Sequence, residues 1–191
     1  MSENIVNMTL KPMKLQNEES KLIQAAKQDP QAFGELYNRY IERVFRYLYS
    51  RLGNTQDAED LTSMTFLSAY QAFGQYRQDG HFGSWLFTIA RNKVNDHYRK
   101  LKITVTMDED HTTISEDDPL MSSIQDEQAS RLRTLIRELD EPEQELLRLR
   151  FLGSMSFSEI AHLLRRSENS VKKSTYRVLA RLHSQMEENN E

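Results

Sequence analysis

Asn92 and Asn95 lie three residues apart in the run Phe82-Gly-Ser-Trp-Leu-Phe-Thr-Ile-Ala-Arg-Asn-Lys-Val-Asn-Asp-His-Tyr-Arg99. An Asn amide donates and accepts at once, so it can hydrogen-bond the edge of a nucleobase, while Arg suits a phosphate or a base edge. Trp85, Leu86, Ile89, Ala90 and Val94 follow the 3.6-residue spacing of a buried stripe, and Arg91, Asn92, Asn95, His97 and Arg99 fall mostly off it. The run therefore predicts one helix that packs on a core through one side and offers amides and guanidinium groups to a nucleic acid through the other. Trp85, the single Trp, is in phase with Leu86 and Ile89 and reads as core.

A second constellation spans 156–182. Ser156-Phe-Ser-Glu159 matches a capping box, and Ile160, Ala161, Leu163 and Leu164 bury the short helix behind it. Arg165-Arg-Ser167 forms a turn without Gly, and Ser167 can cap a second helix carrying Val171, Val178, Leu179 and Leu182. Short helix, tight turn and longer helix make the helix-turn-helix plan. Arg165, Arg166, Lys172, Lys173, Arg177 and Arg181 face one acid, Glu168, across this stretch. The plain alternative is an antiparallel helix pair with a solvated basic face; spacing and charge together favour DNA.

Other chemistry finds little support. Cys is absent, which removes disulfides, thiolate zinc sites and Cys nucleophiles. No Ser-His-Asp arrangement, phosphate-binding loop or HExxH occurs, so neither an enzyme nor a cofactor is expected. Asp108-Glu-Asp-His111 has the residue types of a metal cluster, but it sits in an acidic run without helical spacing and reads as solvated charge.

The elements that position these residues are helical throughout. Gly and Pro are scarce, and the expected fold is all-α. A short helix is expected over 20–28, and Asp29-Pro30 opens the next, with Phe33, Leu36, Tyr37, Tyr40, Val44, Phe45 and Leu48 as its stripe. Gly53-Asn54 stops it, and Asn54 or Thr55 caps the next. A third helix starts with Asp57, Glu59 and Asp60 at its positive end, carries Leu61, Met64, Phe66, Leu67 and Tyr70, and ends near Phe73-Gly74. Past the linker come Ala129, Leu132, Leu135, Ile136 and Leu139. Asp140-Glu-Pro-Glu143 then opens a helix with Leu146, Leu147, Leu149 and Phe151, closed by Gly153.

The net charge of −4 is unevenly spread. Residues 21–103 hold twelve bases against eight acids, 104–128 hold eight acids and no base, and 129–191 hold eleven bases against ten acids. Local fields of this kind, not the total, decide where a polyanion docks. The expected organisation is a loose arm over 1–19, a first helical domain over 20–102, a flexible acidic linker over 103–126 and a helix-turn-helix domain over 127–187. No run approaches 18 apolar residues and no secretory signal is visible, so a cytoplasmic protein without membrane insertion is expected.

Several motifs in order resemble bacterial sigma factors of the extracytoplasmic-function group. They are Asp29-Pro-Gln-Ala-Phe33; Asp57-Ala-Glu-Asp-Leu61 with Thr65-Phe66 and Ala69-Tyr70; and Phe82-Gly-Ser-Trp-Leu86 with Ile89-Ala-Arg-Asn92 and Asp96. Leu139, Pro142, Phe157-Ser-Glu-Ile-Ala161 and Val171-Lys172 continue the series. The resemblance covers about 20–185. It implies sigma domain 2 and sigma domain 4, core RNA polymerase (beta-prime and beta subunits) and promoter DNA as partners, and an anti-sigma factor. The implied polymerase contacts are Asp57, Glu59, Asp60, Ser63 and Met64, on the helix that in the family meets a beta-prime coiled coil. The implied minus-ten contacts are Tyr76, Arg77, His81, Arg91, Asn92, Asn95 and Arg99, with Asn92 at a pocket for a flipped-out base. The implied minus-thirty-five contacts are Arg166, Ser170, Lys172, Lys173, Ser174 and Arg177. The linker would thread toward the polymerase active centre.

Two stretches depart from the family pattern. Ser63-Met64 stand where Gln-Glu is usual, and Asn169-Ser-Val-Lys-Lys-Ser174 stands where Gly-Thr-Val-Lys-Ser-Arg is usual, so promoter specificity does not carry over. The rival reading is a free-standing helix-turn-helix regulator whose first domain binds a protein. A metal-dependent nuclease using the acids of 108–118 is a third, disfavoured by their lack of ordered spacing.

Overall fold

The computed structural model describes residues 18–77, 81–105 and 127–187, and these form helices and their connections without a strand. Helix α1 covers 18–26. Helix α2 (Pro30–Leu52) starts where Asp29 accepts a hydrogen bond from the Gln31 amide at 2.8 Å and Pro30 fills the first turn. It ends at Gly53, whose φ of 68° lies in the left-handed region and whose N–H donates to the Tyr49 carbonyl. Asn54 then caps helix α3 (Thr55–Ala72) through the Asp57 amide at 3.0 Å. A 3₁₀ turn, Phe73–Gln75, leads toward helix α4 (Phe82–Val105). The structure thus carries α4 through 103–105, which the sequence assigned to the linker, because Leu101-Lys-Ile-Thr-Val105 contains no breaker. The rest of the linker and most of the expected arm lie outside the described residues, as does Asp108–His111.

Helix α5 (Glu127–Arg137) begins the second half. Asp140 caps helix α6 (Glu141–Leu147) by accepting from the Glu143 amide at 2.8 Å. The chain then widens into a π-helical turn, Arg148–Leu152, closed by the Gly153 N–H on the Arg148 carbonyl at 2.8 Å. Helix α7 (Phe157–Leu164) carries the expected capping box, with both the Ser156 and the Glu159 bonds formed. Helix α8 (Glu168–Glu187) follows a three-residue turn.

Helices α2, α3 and α4 pack pairwise into a bundle. Leu36, Tyr40, Val44, Tyr47 and Leu48 meet Ala58, Leu61, Phe66 and Ala69 of α3 and Leu86, Phe87, Ala90 and Val94 of α4. Trp85, partly buried, closes one end beside Phe73, Tyr76 and Phe82. In the second half, Leu139, Leu147, Val178 and Leu182 form a smaller cluster.

The larger core crosses from one half to the other. Leu146, Leu149, Met155, Ile160, Ala161 and Val171 are continuous with it, with α7 against α4 and the π turn against α2. Units of this size bury little core by themselves, and sharing one offsets that. Polar contacts fix the seam. Arg43 donates from Nε to the Gly153 carbonyl at 2.8 Å and from Nη2 to the Ser154 carbonyl at 3.0 Å. Ser84 donates to the Glu159 carbonyl at 2.8 Å.

A Cβ at Gly153 would stand 2.8 Å from Phe87 Cε1 and 2.9 Å from the Leu149 carbonyl oxygen, whereas one at Gly34 would meet nothing within 4 Å. Gly153→Ala is expected to destabilise the fold by about 1–3 kcal/mol. Gly34→Ala, a helical site, is expected to be neutral or stabilising. Urea unfolding midpoints of the two variants check the contrast.

Candidate nucleic-acid interface

Three surfaces carry the residues singled out in the sequence. The first is on α4, where Asn92, Asn95 and Arg99 form one exposed row at helical spacing. Arg99 is tied to Asp96 at 2.9 Å, an exposed pair worth little energy that leaves the guanidinium in solvent. Arg77 is also exposed.

Arg91 and His81 point elsewhere. Arg91 Nε lies 3.4 Å from Glu145 of α6, and the His81 ring stacks on His162 of α7 with centroids 4.5 Å apart. Tyr76 departs from the expected DNA contact. Its side chain is only 5% exposed, stacked on Phe73, edge-on to Phe82 and against Trp85. The turn after α3 folds inward, fixed by Lys27 donating to the Tyr76 carbonyl at 3.1 Å, and the ring becomes part of the floor under α4.

The second surface is on α3, and here hydropathy alone misleads. The sequence groups Met64, Leu67 and Tyr70 in one apolar stripe with Leu61 and Phe66, and Met64 also among the implied polymerase contacts; Leu61 and Phe66 are buried, whereas Met64, Leu67 and Tyr70 are 44, 58 and 50% exposed. Thr62 and Thr65 are buried in their stead, their hydroxyls donating to the Ala58 and Leu61 carbonyls at 2.6 and 2.7 Å. A Thr that satisfies its hydroxyl within the helix can turn its methyl to a core. The result is an exposed apolar row continuing the exposed Glu59, Asp60 and Ser63. Asp57 and Asp60, with Leu61 and Met64, also line one side of an open groove of about 250 Å³; Lys93, Asp96, His97 and Lys100 of α4 line the other. Among the described residues no cluster of His, Asp and Glu is placed to hold a metal ion, and no helix is long and apolar enough to cross a membrane.

The third surface is the helix pair α7–α8. Val171, Thr175, Val178 and Leu182 face inward and Ser170, Lys173 and Arg177 face out. The turn needs no Gly, because Arg165 itself takes φ 54° at the end of α7. Ser174 is half-buried and receives the Arg166 guanidinium at 2.7 Å. Lys172 is engaged on its own helix, 2.6 Å from Glu168 and above the Phe157 ring. Tyr176, which the sequence reading passed over, stands exposed beside Phe157.

The other residue missed is Glu145, 4% exposed at the seam. It accepts from the Tyr47 hydroxyl at 2.9 Å and from Arg51 at 2.9 Å, with Arg91 at 3.4 Å, all three from the first half. Arg51 also reaches Glu141 at 2.8 Å. The one sequence signal was spacing, since Glu145 stands four residues before buried Leu149 on the same side of the helix.

Among the described residues, an all-α fold with a helix-turn-helix and a separate amide-and-guanidinium row on another bundle has the features of a DNA-binding protein. The sequence matches Sigma-70 region 2 over residues 36–103 and Sigma-70 region 4 over 129–182. It is 30% identical over 149 residues to the ECF RNA polymerase sigma factor SigM of Bacillus subtilis, covering 78% of this chain and 91% of SigM. It is 37% identical over 158 residues to the ECF RNA polymerase sigma factor BldN of Streptomyces coelicolor, covering 79% of this chain but spanning only 59% of BldN. The fold is similar to that of the sigma factor RpoE in its co-crystal structure with the anti-sigma factor NepR from Bartonella quintana. That likeness has a TM-score of 0.60 at 18% identity and covers 83% of this chain and 98% of that one. The chain belongs to the extracytoplasmic-function group of the sigma-70 family of RNA polymerase sigma factors. Membership decides against the free-standing regulator.

Burial, reinforced by the Glu19 and Glu145 carboxylates beside them, pushes the Tyr40 and Tyr47 hydroxyls far above their ordinary value near 10. Below pH 10 these groups are protonated in both the folded and the unfolded chain. Above it the unfolded chain releases the protons and the native one keeps them, so stability falls as pH rises. Of the eight tyrosines, Tyr40 and Tyr47 are expected to stay silent in a tyrosinate absorbance titration until the protein unfolds. Tyr47→Phe should remove one silent group and destabilise by about 1–3 kcal/mol, because the buried Glu145 loses one of its donors.

Proposed function

We propose that this sigma factor is a promoter-recognition subunit that holds core RNA polymerase through α3, captures minus-ten bases on α4 and reads the minus-thirty-five element with α8. A division into a first domain from 20 to the end of α4 and a second over 127–187 goes with this reading, as does a cytoplasmic location and the absence of any catalytic step of its own. The observation that carries it is that one bundle turns two unlike faces to solvent. The α3 face, with Asp60 and Glu59 continuing into Met64, Leu67 and Tyr70, has the apolar centre and charged rim of a protein-docking surface. The Asn92–Asn95–Arg99 row has the chemistry of base edges and phosphates.

The work is binding. Lys173 and Arg177 anchor phosphates of the duplex and release counterions. Asn92 acts later, holding a base that has left the stack, which lowers the cost of strand opening. Arg91 and His81 join that face once their contacts with Glu145 and His162 are exchanged for DNA. An anti-sigma factor is the partner expected to keep the faces from polymerase and promoter, as the Bartonella complex suggests by its composition.

Asp60→Lys should weaken capture of core polymerase in a pull-down while changing stability by no more than about 1 kcal/mol. Asn92→Ala should leave duplex binding by the holoenzyme nearly intact yet reduce permanganate reactivity of the promoter bubble and blur preference at one minus-ten position. Lys173→Ala and Arg177→Ala should each lower the salt slope of duplex binding by about one. Normal bubble opening and unchanged base preference in Asn92→Ala would remove Asn92 from the base-capturing role.

A further inference from the structure

The turn of the helix-turn-helix delivers a guanidinium onto the outer face of α8. Arg165 occupies the left-handed region at the end of α7, and the next amide, Arg166 N–H, donates back to the Ala161 carbonyl at 3.0 Å. This closure fixes the backbone from which the Arg166 side chain leaves. The side chain then crosses to α8, where its Nη2 donates to Ser170 Oγ at 2.9 Å and Ser174 Oγ at 2.7 Å, with the Ser170 carbonyl at 3.4 Å. Ser170 and Ser174 are four residues apart, one turn above the other. Ser170 itself is held by its own amide on Ser167 Oγ at 3.2 Å.

The chemistry of this trio is one-sided. Each serine oxygen spends an acceptor position on Nη2, and its hydroxyl hydrogen stays available for donation. On the guanidinium, Nη1 and Nε find no protein partner among the described residues. The patch therefore presents donors outward. In the major groove, guanine alone offers two adjacent acceptors, O6 and N7; adenine pairs its N7 with a donor amino group, cytosine offers a donor, and thymine sets a methyl beside its one acceptor. Two hydroxyls and a backbone closure also remove most of the rotamer freedom that an exposed Arg would lose on binding.

We infer that Arg166, clamped by Ser170 and Ser174, is a specificity-determining residue that reads one guanine of the upstream promoter element. The inference rests on α8 entering the major groove there.

The test uses the full chain with core RNA polymerase and a duplex library randomised across the minus-thirty-five region. Wild-type holoenzyme should enrich a guanine at one position. Arg166→Ala should lose about five- to 150-fold discrimination at that guanine, leaving the other positions unchanged. Arg166→Lys should keep the salt slope and lose the preference, since an ammonium on a flexible stem cannot hold both serine hydroxyls and still aim a fixed donor beside them at the guanine acceptors. Ser170→Ala with Ser174→Ala keeps every charge and should weaken preference at the same position alone. If Arg166→Ala instead weakened all sequences equally with the salt slope lower by about one, Arg166 would be a phosphate contact and the inference would be overturned. Unchanged selection in both the Ala and Lys variants overturns it as well. A wild-type holoenzyme that enriched no upstream sequence would instead overturn the α8 reading beneath it.

Discussion

Everything in this structure is built around the burial of one side of α4. Leu86, Phe87, Ala90 and Val94 are inaccessible to solvent and are shared between α2 and α3 on one flank and the helix-turn-helix on the other. Phe87 shows the constraint most clearly. Its ring stands edge-on to Tyr47, 5.4 Å between centroids, and leaves at Gly153 no room for a side chain. Close packing of this kind fixes the rotation of α4 about its axis. That rotation in turn determines that Asn92, Asn95 and Arg99 face solvent.

The local signals along the chain were largely sufficient for the helices. Asp29, Asn54, Asp140 and Ser156 each cap the helix their side-chain chemistry announces, and Gly53 ends α2 as a left-handed cap must. What failed were inferences that needed a partner. On α3 hydropathy alone does not separate the buried from the exposed members of the stripe, since it gives no reason for Thr62 and Thr65 to be buried while Met64, Leu67 and Tyr70 are exposed. It takes no account of a hydroxyl that bonds its own helix. Tyr76 stands among the implied minus-ten contacts, and only the fold reveals the aromatic neighbours that enclose its ring. Glu145 had no legible partner, because Tyr47, Arg51 and Arg91 stand between 54 and 98 residues away in the chain.

The two faces proposed to meet DNA are constructed differently. On α4 the amides stand free on a rigid helix, suited to a base that arrives already unstacked. On α8 the charged groups are partly occupied by the protein itself: Lys172 by Glu168, Arg181 by Glu143, and Arg166 by two serines. A surface that holds its cations in place gives up some long-range attraction and gains orientation. In the proposed role of α8, finding one register in a duplex, orientation is the scarcer quantity.

Glu145 gives the seam between the halves a threshold. A carboxylate buried to this degree is tolerable only while its donors stay in place, and all of them belong to the opposite half. Parting the halves would leave that carboxylate to water, and it would release the Arg91 guanidinium and the His81–His162 stack together, so two positions of the first half are tied in availability to a carboxylate that belongs to the second.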